Sequence, residues 1–404
     1  MTLNNIPQGY KATALGIIPQ EWEVKTLGNI AEINPSKGKI TSKVVTFLAM
    51  SDISEQGGVI NENILPIDSI KPGLTPFRKG DVIIAKITPC FENGKGALLD
   101  KITKDDGFGS TEFHVIRCQQ DNKFVYYHTQ SYAFRKRLES QMTGSAGQKR
   151  VPADSVAAYK IAVPPLAEQR KIAEVLGVWD EAIEKQARLI EKLALRKRAL
   201  MQRLLSAKLR LPGFSEPWKT HKLQELFTER NETNRTDLPL LSITGDRGVI
   251  LQTESEKRDT SNDDKSKYKR IAKGDIGYNT MRMWQGRSAL SGLEGIVSPA
   301  YTIVVPNTDV DGYYMSVLFK QPRLIYDFWT HSQGLVGDTL NCKYRDFGQV
   351  HICCPPLAEQ KAITEVLTAA DREIELAKEK LERLRRQKRG LMQQLLTGKK
   401  RVKY

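Results

Sequence analysis

The sequence lacks the residue patterns of metal-binding, secreted and membrane proteins. Its 404 residues include only five cysteines, none of them in a Cys-x-x-Cys pair, and the five histidines do not cluster with them. We therefore expect reduced thiols, no bound metal and a cytoplasmic location. No run approaches the roughly 18 apolar residues of a membrane-spanning helix, and the N-terminus lacks a basic segment followed by an apolar one. We therefore expect no membrane association.

Catalytic and nucleotide-binding signatures are also missing. The phosphate-binding pattern Gly-x4-Gly-Lys-Ser/Thr does not occur, because the nearest match, NGKG at 93–96, lacks the upstream glycine. The GFGS segment at 107–110 does not continue as the Gly-x-Gly-x-x-Gly of dinucleotide-binding folds. We therefore expect a chain that has no catalytic residues and binds no cofactor of its own.

Positive charge is what the sequence has in excess. It contains 62 basic and 47 acidic residues, which gives a formal net charge of +15. Such an excess favours a polyanionic partner such as nucleic acid. Much of it lies in two segments, 166–210 with 11 bases and 6 acids, and 357–404 with 13 bases and 7 acids. The remainder of the chain must therefore concentrate its charge locally to contact an anion.

A repeated segment divides the chain. The letters PPLAEQ occur at 164–169 and again at 355–360, and the residues that follow align without a gap as far as 208 and 399. An internal repeat of this quality indicates duplication. Identical residues at this offset of 191 include Asp180 and Asp371, Ile183 and Ile374, Leu193 and Leu384, Lys197 and Lys388, Leu200 and Leu391, and Leu204 and Leu395.

Both copies of the repeat are predicted to form long helices. Prolines stand just before each start, and none follows for more than forty residues. Residues spaced alternately four and three positions apart, counted from Ile172 and from Ile363, are apolar at almost every position. This heptad pattern favours a coiled coil. Two core helices in separate domains are the simpler alternative.

Charge predicts how the helices pair. Residues 192–210 and 383–403 contain bases and no acids, whereas the first half of each helix is rich in acids. Antiparallel packing places each basic half against the other helix's acidic half, although the helix macrodipole favours the same gradient in any single helix. Lys197 and Lys388 interrupt the apolar seam at the same position. Each either fixes the register of the pair or packs its stem while the amine reaches water.

The two segments outside the helices share an order of features. Trp22 and Leu27 match Trp218 and Leu223, and Lys-Gly-Asp occurs at 79–81 and at 273–275. Short β-like runs separated by turn residues surround these positions and are followed by aromatic helical stretches. We therefore expect two homologous α/β domains of about 150 residues each, with diverged middles.

These features together resemble the specificity subunit of type I restriction–modification systems. PPLAEQ opens a long helix twice, each time after a Trp-led domain with Lys-Gly-Asp, and LGIIPQEW (15–22) and RLPGFSEPW (210–218) are similar to domain openings of that family. The resemblance implies an α+β fold with two similar α/β target recognition domains, separated by two long helices in an antiparallel coiled coil with a pseudo-twofold internal repeat. The implied divisions are domain 1–164, helix 165–210, domain 211–354 and helix 355–404.

The resemblance also implies a function and partners. Each domain would read one half of a split, asymmetric site in double-stranded DNA, and the helices would dock two methyltransferase subunits. Those partners would use S-adenosylmethionine, and restriction subunits of the complex would use ATP and Mg²⁺. The Pro-Pro pairs follow Val163 and Cys354, so they lack the Asp or Asn of a methyltransferase motif. The alternatives are a coiled-coil adaptor or scaffold with two protein-binding modules, and the recognition part of a single-chain enzyme.

Candidate DNA-binding residues lie on loops at matching places in the two domains. Base edges are read by Arg, Lys, Asn, Gln, Ser and Thr, and phosphates by Lys, Arg and hydroxyl groups. Three matching segments carry such residues: the loop after Lys-Gly-Asp, a turn near 110 and 298, and the segments 143–150 and 331–338. The predicted residues are Lys86, Thr88, Asn93, Lys95, Ser110, Thr111, Gln148, Lys149 and Arg150 in the first domain, and Asn279, Thr280, Arg282, Trp284, Gln285, Arg287, Ser298, Ser332 and Gln333 in the second.

Overall fold

The computed structural model describes residues 6–38, 40–145, 147–245, 247–255, 263–334 and 340–403. It divides into two compact units, Met1–Ala187 with Glu379–Tyr404, and Arg188–Lys378. Each unit contains one β-rich domain and half of each long helix. No helix among the described residues is both long enough and apolar enough to cross a bilayer.

The first unit begins with short strands and ends in a long helix that continues into the second unit. Its elements are β1 (Tyr10–Thr13), β2 (Gly16–Pro19), β3 (Glu23–Thr26), β4 (Ala31–Ile33), β5 (Val44–Leu48), β6 (Asn63–Pro66), β7 (Thr75–Arg78), β8 (Val82–Ala85), β9 (Gly96–Leu98), β10 (Asp106–Gly109), β11 (Phe113–Cys118), α1 (Asn122–Thr129), α2 (Tyr132–Glu139), α3 (Ala153–Ala157), β12 (Lys160–Val163) and α4 (Leu166–Leu204).

The second unit follows the same plan. Its elements are β13 (Lys219–Lys222), α5 (Leu223–Leu226), β14 (Phe227–Glu229), β15 (Leu241–Ile243), β16 (Val249–Leu251), β17 (Lys269–Ile271), β18 (Ile276–Asn279), β19 (Ser288–Leu290), β20 (Gly295–Val297), β21 (Tyr301–Pro306), α6 (Gly312–Leu318), α7 (Pro322–His331), α8 (Tyr344–Gln349), β22 (His351–Cys354) and α9 (Leu357–Leu396).

A four-stranded antiparallel sheet recurs in the two units. Its strand order is β4-β11-β8-β9 in the first and β14-β21-β18-β19 in the second. The register is also the same, because Val82 pairs with Ile116 in one sheet and Ile276 with Val304 in the other. In each unit a further pair, β3 with β12 or β13 with β22, joins the start of the domain to the strand before a long helix. The matched order of sequence features therefore reflects a matched topology.

The repeated Lys-Gly-Asp motif is a turn closed by a buried carboxylate. Gly80 and Gly274 have φ of +90° and +94°, a left-handed conformation that glycine adopts without strain. Asp81 accepts the Arg78 backbone N–H at 2.7 Å and two bonds from Arg117 at 2.7 and 2.8 Å. Asp275 likewise accepts the Ala272 N–H at 2.7 Å and pairs with Arg230. The motif is thus a structural anchor at the start of β8 and β18.

The long helices pack antiparallel within each unit. In the first unit, Ile172 and Leu176 of α4 share a core with Met392, Leu395 and Leu396 of α9. In the second, Leu193 of α4 packs with Ile374 and Ala377 of α9. The antiparallel pairing predicted from charge is therefore confirmed, since the end of each helix meets the start of the other.

Equivalent aspartates join three elements in each unit. Asp371 accepts a hydrogen bond from Tyr313 Oη at 2.6 Å and from Lys197 Nζ at 2.5 Å. Asp180 accepts one from Tyr127 Oη at 2.7 Å and pairs with Lys388. Burial and the Asp180 carboxylate raise the pKa of Tyr127, so the phenol stays a donor. The seam lysines therefore pair across the helices, which supports the register interpretation over the solvent-reaching one.

Both helices end before the boundaries expected from sequence, at Leu204 and Leu396. Ala207 and Gly398, which occupy equivalent positions, have φ of +57° and +70°. A left-handed residue just past a helix end terminates it. The chain then turns so that Arg210 pairs with buried Glu359 and Arg401 with buried Glu168, both at 2.6 Å. Trp22 is fully buried in the core of the first unit, and the equivalent Trp218 is partly buried against the core of the second.

We expect Lys388→Met to lower the free energy of unfolding by about 1–2 kcal/mol, because it leaves the half-buried Asp180 carboxylate without its cationic partner. Chemical denaturation measures the change. In a cycle with Asp180→Asn, the double variant should lose less stability than the sum of the single variants.

Lys185→Met is the matched control for this cycle. Lys185 lies on the same helix pair, but its side chain is 78% exposed and pairs with Glu181 at 3.7 Å. Exposed pairs of this kind contribute about 0–1 kcal/mol. Equal losses for the two lysine variants would contradict a specific role of Lys388.

Candidate nucleic-acid interface

Three segments of the first unit meet at one end of β8 and β11. The Lys86 N–H donates to the Glu112 carbonyl at 2.9 Å, and the Val151 N–H donates to the Lys86 carbonyl at 2.8 Å. The Thr88 N–H donates to the Lys149 carbonyl at 3.0 Å. We call this the first loop cluster, and its members are residues 86–95, 110–112, 143–145 and 147–151.

Most of the predicted residues of the first domain fall together in this cluster. Thr111, Gln148 and Lys149 are exposed, and Lys86, Thr88, Ser110 and Arg150 are partly buried. Asn93 and Lys95 differ, since their side chains bind elsewhere in the same unit. Asn93 Nδ2 donates to Glu55 Oε1 at 3.0 Å, and Lys95 Nζ donates to the Met50 carbonyl at 2.9 Å. These two residues are thus held by the protein, whereas Lys149 faces solvent.

An ion pair stands within the first loop cluster. Arg150 Nε lies 3.2 and 3.0 Å from the Glu112 carboxylate oxygens, and Nη2 lies 2.9 Å from Oε1. This hydrogen bond holds the pKa of Glu112 below its usual value, so Glu112 carries a full negative charge at neutral pH. Lys86 adds a second positive charge close to the same carboxylate.

The second unit repeats the backbone frame of this cluster with other side chains. The Thr280 N–H donates to the Ala300 carbonyl at 3.1 Å, and the Cys342 N–H donates to the Thr280 carbonyl at 2.8 Å. Gln333 and Asn341 exchange backbone hydrogen bonds at 2.9 and 2.8 Å. We call this the second loop cluster, and its members are residues 279–287, 298–300, 332–334 and 340–342.

The loop after β18 presents polar side chains to solvent. Arg282, Gln285 and Arg287 are exposed, and in the described part of this unit Arg282 and Gln285 have no side-chain hydrogen bond. Trp284 is half-buried, with its indole N–H donating to the Met281 carbonyl at 3.0 Å. The loop therefore offers unengaged donors beside an aromatic ring.

Other predicted residues of the second domain help to shape the cluster. Asn279 Oδ1 accepts from the Met281 N–H at 3.0 Å, and Thr280 Oγ1 donates to the Ala300 carbonyl at 2.6 Å. Ser298 Oγ accepts from the Ala300 N–H at 3.4 Å, whereas Ser332 Oγ donates to Phe328 at the end of α7. The side chain of exposed Gln333 remains available at the edge of the cluster.

Residues 19–194 match the family model of the type I restriction modification DNA specificity domain. This span includes the first loop cluster and most of α4, and it contains Trp22, the Lys-Gly-Asp of 79–81 and the first PPLAEQ, on which the resemblance was partly based. The chain therefore carries a type I restriction modification DNA specificity domain in its first half. The matched model describes a recognition domain, in agreement with the expectation that this subunit is non-catalytic.

Curated proteins with similar sequences are type I specificity subunits. Over 160 residues this chain is 42% identical to the EcoAI specificity subunit of Escherichia coli, and over 161 residues it is 38% identical to the EcoEI specificity subunit of the same organism. Each match covers 38% of this chain, and the chain spans only 27% of each of these relatives. It is also 25% identical to the MjaVIII specificity subunit of Methanocaldococcus jannaschii over 72% of this chain and 74% of that one.

Solved structures share the fold of this chain. The HsdS subunit from Thermoanaerobacter tengcongensis matches with a TM-score of 0.51 at 19% identity, over 94% of this chain and 98% of that one. A chain from a study of type I restriction–modification complex assembly matches with a TM-score of 0.61 at 19% identity, over 94% and 99%. The α+β fold with two long packed helices is therefore confirmed.

His114 and Glu112 organise the first loop cluster through contacts that the sequence does not indicate. His114 is buried, with Nε2 2.8 Å from the Val151 carbonyl and Nδ1 3.0 Å from Asn34. Burial lowers the pKa of His114, so the imidazole is neutral and serves as a hydrogen-bonding link. Glu112 holds Arg150, and only its place in the turn that aligns with 298–300 could have drawn attention to it.

Proposed function

We propose that the chain reads a bipartite, asymmetric site in double-stranded DNA, one half through domain 1–164 and the other through domain 211–354. The observation that carries the proposal is that the two loop clusters share one backbone frame and differ in side chains. Lys86, Glu112 and Arg150 occupy the places of Thr280, Ala300 and Asn341. A duplicated frame with different side chains suits two different half-sites. The match to a DNA specificity domain supports the same function.

The charges of the clusters suit this ligand. The first carries Lys86, Lys95, Lys149 and Arg150 against two glutamates, and the second carries Arg282 and Arg287 without an acid. Basic side chains attract the phosphate backbone, and exposed Arg, Gln and Asn can read base edges. We assign the exposed Lys149 to a phosphate, and the exposed Arg282 and Gln285 to bases.

The helices would dock two methyltransferase subunits and, through the complex, the restriction subunits. A structural relative from a study of type I complex assembly supports this assignment. S-adenosylmethionine, ATP and Mg²⁺ would then bind those partners, and the complex would act on DNA in the cytoplasm. The helices have 39 and 40 residues, about 60 Å at 1.5 Å per residue, and would set the spacing between the half-sites.

Salt dependence separates this function from that of an adaptor or scaffold with protein-binding modules. We expect the full-length chain, assembled with its methyltransferase subunits, to bind its duplex with an affinity that falls steeply as salt rises, because cations on the DNA are released. Lys149→Ala should reduce the slope of log affinity against log salt by about one unit. Fluorescence anisotropy over a salt series measures both effects.

Lys101→Ala is the matched control. Lys101 is an exposed lysine of the same domain that follows β9 near the opposite end of β8 from the first loop cluster, so we expect an unchanged slope. An assembled chain that does not bind duplex DNA at any salt concentration would favour the adaptor.

We expect exchange of residues 211–354 for the equivalent segment of another family member to change one half of the methylated site. The exchanged segment contains both β13 and β22, which pair with each other, so it can fold as a unit on the retained helices. Methylome sequencing of a host that carries the hybrid reads both halves at once. A change in both halves would contradict the assignment of one half-site to each domain.

A further inference from the structure

The Glu112–Arg150 pair leaves part of the Arg150 guanidinium available for a ligand. A guanidinium has five N–H donors. In Arg150, Nε and one Nη2 hydrogen are directed at Glu112, and one Nη1 hydrogen is directed at the Gln148 carbonyl at 3.3 Å. One hydrogen remains on Nη1 and one on Nη2. The arginine side chain is 44% exposed, so Nη1 and Nη2 each keep a donor that is open to a ligand.

The chemistry of this pair favours a base over a phosphate. Glu112 and Arg150 together carry no net charge, and the carboxylate would repel a phosphate placed beside the guanidinium. Two adjacent N–H donors match the O6 and N7 acceptors of guanine in the major groove, which bear no formal charge. Lys149, the neighbouring residue, is exposed and has no such acidic partner in the described structure, so it suits a phosphate instead.

Other arginines paired with acids do not have this setting. Arg117 and Arg230 pair with the buried Asp81 and Asp275, which precede β8 and β18 at the ends opposite the loop clusters. Arg235 pairs with both Asp237 and Glu232, so its surroundings are acidic. Arg150 lies in the first loop cluster beside Lys86 and Lys149.

At the equivalent positions, which the structure describes, the second domain carries no such pair. The residue that matches Glu112 in the backbone frame is Ala300, and the one that matches Arg150 is Asn341. Neither residue can form an ion pair. The ion pair is therefore specific to the first domain, as expected for residues that read one half of an asymmetric site.

We propose that Arg150, held in place by Glu112, reads a guanine in the half-site recognised by the first domain. The inference rests on the proposed function and names one base, a guanine, that the first domain recognises. Arg150 touches the base, and Glu112 is a positioning residue. Loss of one bidentate arginine contact reduces discrimination for the correct base by about tenfold to a hundredfold.

The test uses the assembled full-length chain and duplexes that contain its methylated site, once sequencing has defined it. Each guanine of the first half-site is replaced in turn by 7-deazaguanine, which lacks the N7 acceptor. We expect one replacement to weaken wild-type binding about tenfold and to leave Arg150→Ala binding unchanged, because that variant has already lost the contact. Arg150→Lys should behave like the alanine variant, since a lysine does not offer the planar pair of donors.

Glu112→Gln and Lys149→Ala provide the remaining comparisons. Glu112→Gln should reduce base discrimination while binding to unrelated duplex stays equal or rises, because a negative charge is removed. Lys149→Ala should weaken all duplexes alike. Unchanged base preference in the other half-site shows that each variant folds.

Two outcomes overturn the inference alone: a first half-site without guanine in either strand, or equal sensitivity of the wild type and Arg150→Ala to every 7-deazaguanine. An assembled chain without any sequence preference overturns the proposed function as well.

Discussion

In each unit, one aspartate of a long helix holds the two helices and the globular domain together. Asp180 and Asp371 each join a tyrosine of the globular domain to a lysine of the partner helix. Because the two sets of contacts lie at equivalent places in the repeat, a shift of one helix along the other would break both at once. Buried Glu168 and Glu359 add a second pair of contacts at the helix starts, where they accept from Arg401 and Arg210. These interactions fix where each β-rich domain sits on its part of the helix pair.

The helical half of the fold could be predicted from the sequence, because it is encoded by local signals. The PPLAEQ repeat, the heptad spacing and the separation of charge are all visible within forty residues, and the identity of Lys197 and Lys388 marked the polar contact in the seam. The tyrosine partners could not be predicted, since Tyr127 lies 53 residues from Asp180 and neither residue signals the other. The ion pair of Asp81 with Arg117, which makes the Lys-Gly-Asp motif a structural anchor, could not be predicted from the sequence either.

The candidate site was predictable as a set of segments and less so as a set of side chains. The structure brings together the three segments that alignment of the two halves singled out in each domain, because their backbone frame is duplicated. Asn93 and Lys95 are held by Glu55 and by the Met50 carbonyl, and Ser332 by the end of α7, through contacts that only the folded chain creates. Glu112 is the opposite case: the sequence placed it in the predicted turn near 110, but its ion pair with Arg150 is visible only in the structure.

We propose that the helix pair sets the distance between two independently read half-sites. The boundary between the units falls after Ala187 in α4 and after Lys378 in α9, at equivalent places in the repeat. Seven residues inserted at each point keep the heptad phase and leave the contacts within each unit intact. They lengthen the pair by about 10 Å, close to three base pairs of duplex. Methylome sequencing should then show the same two half-sites with a spacer about three base pairs longer, and an unchanged spacer would contradict the account.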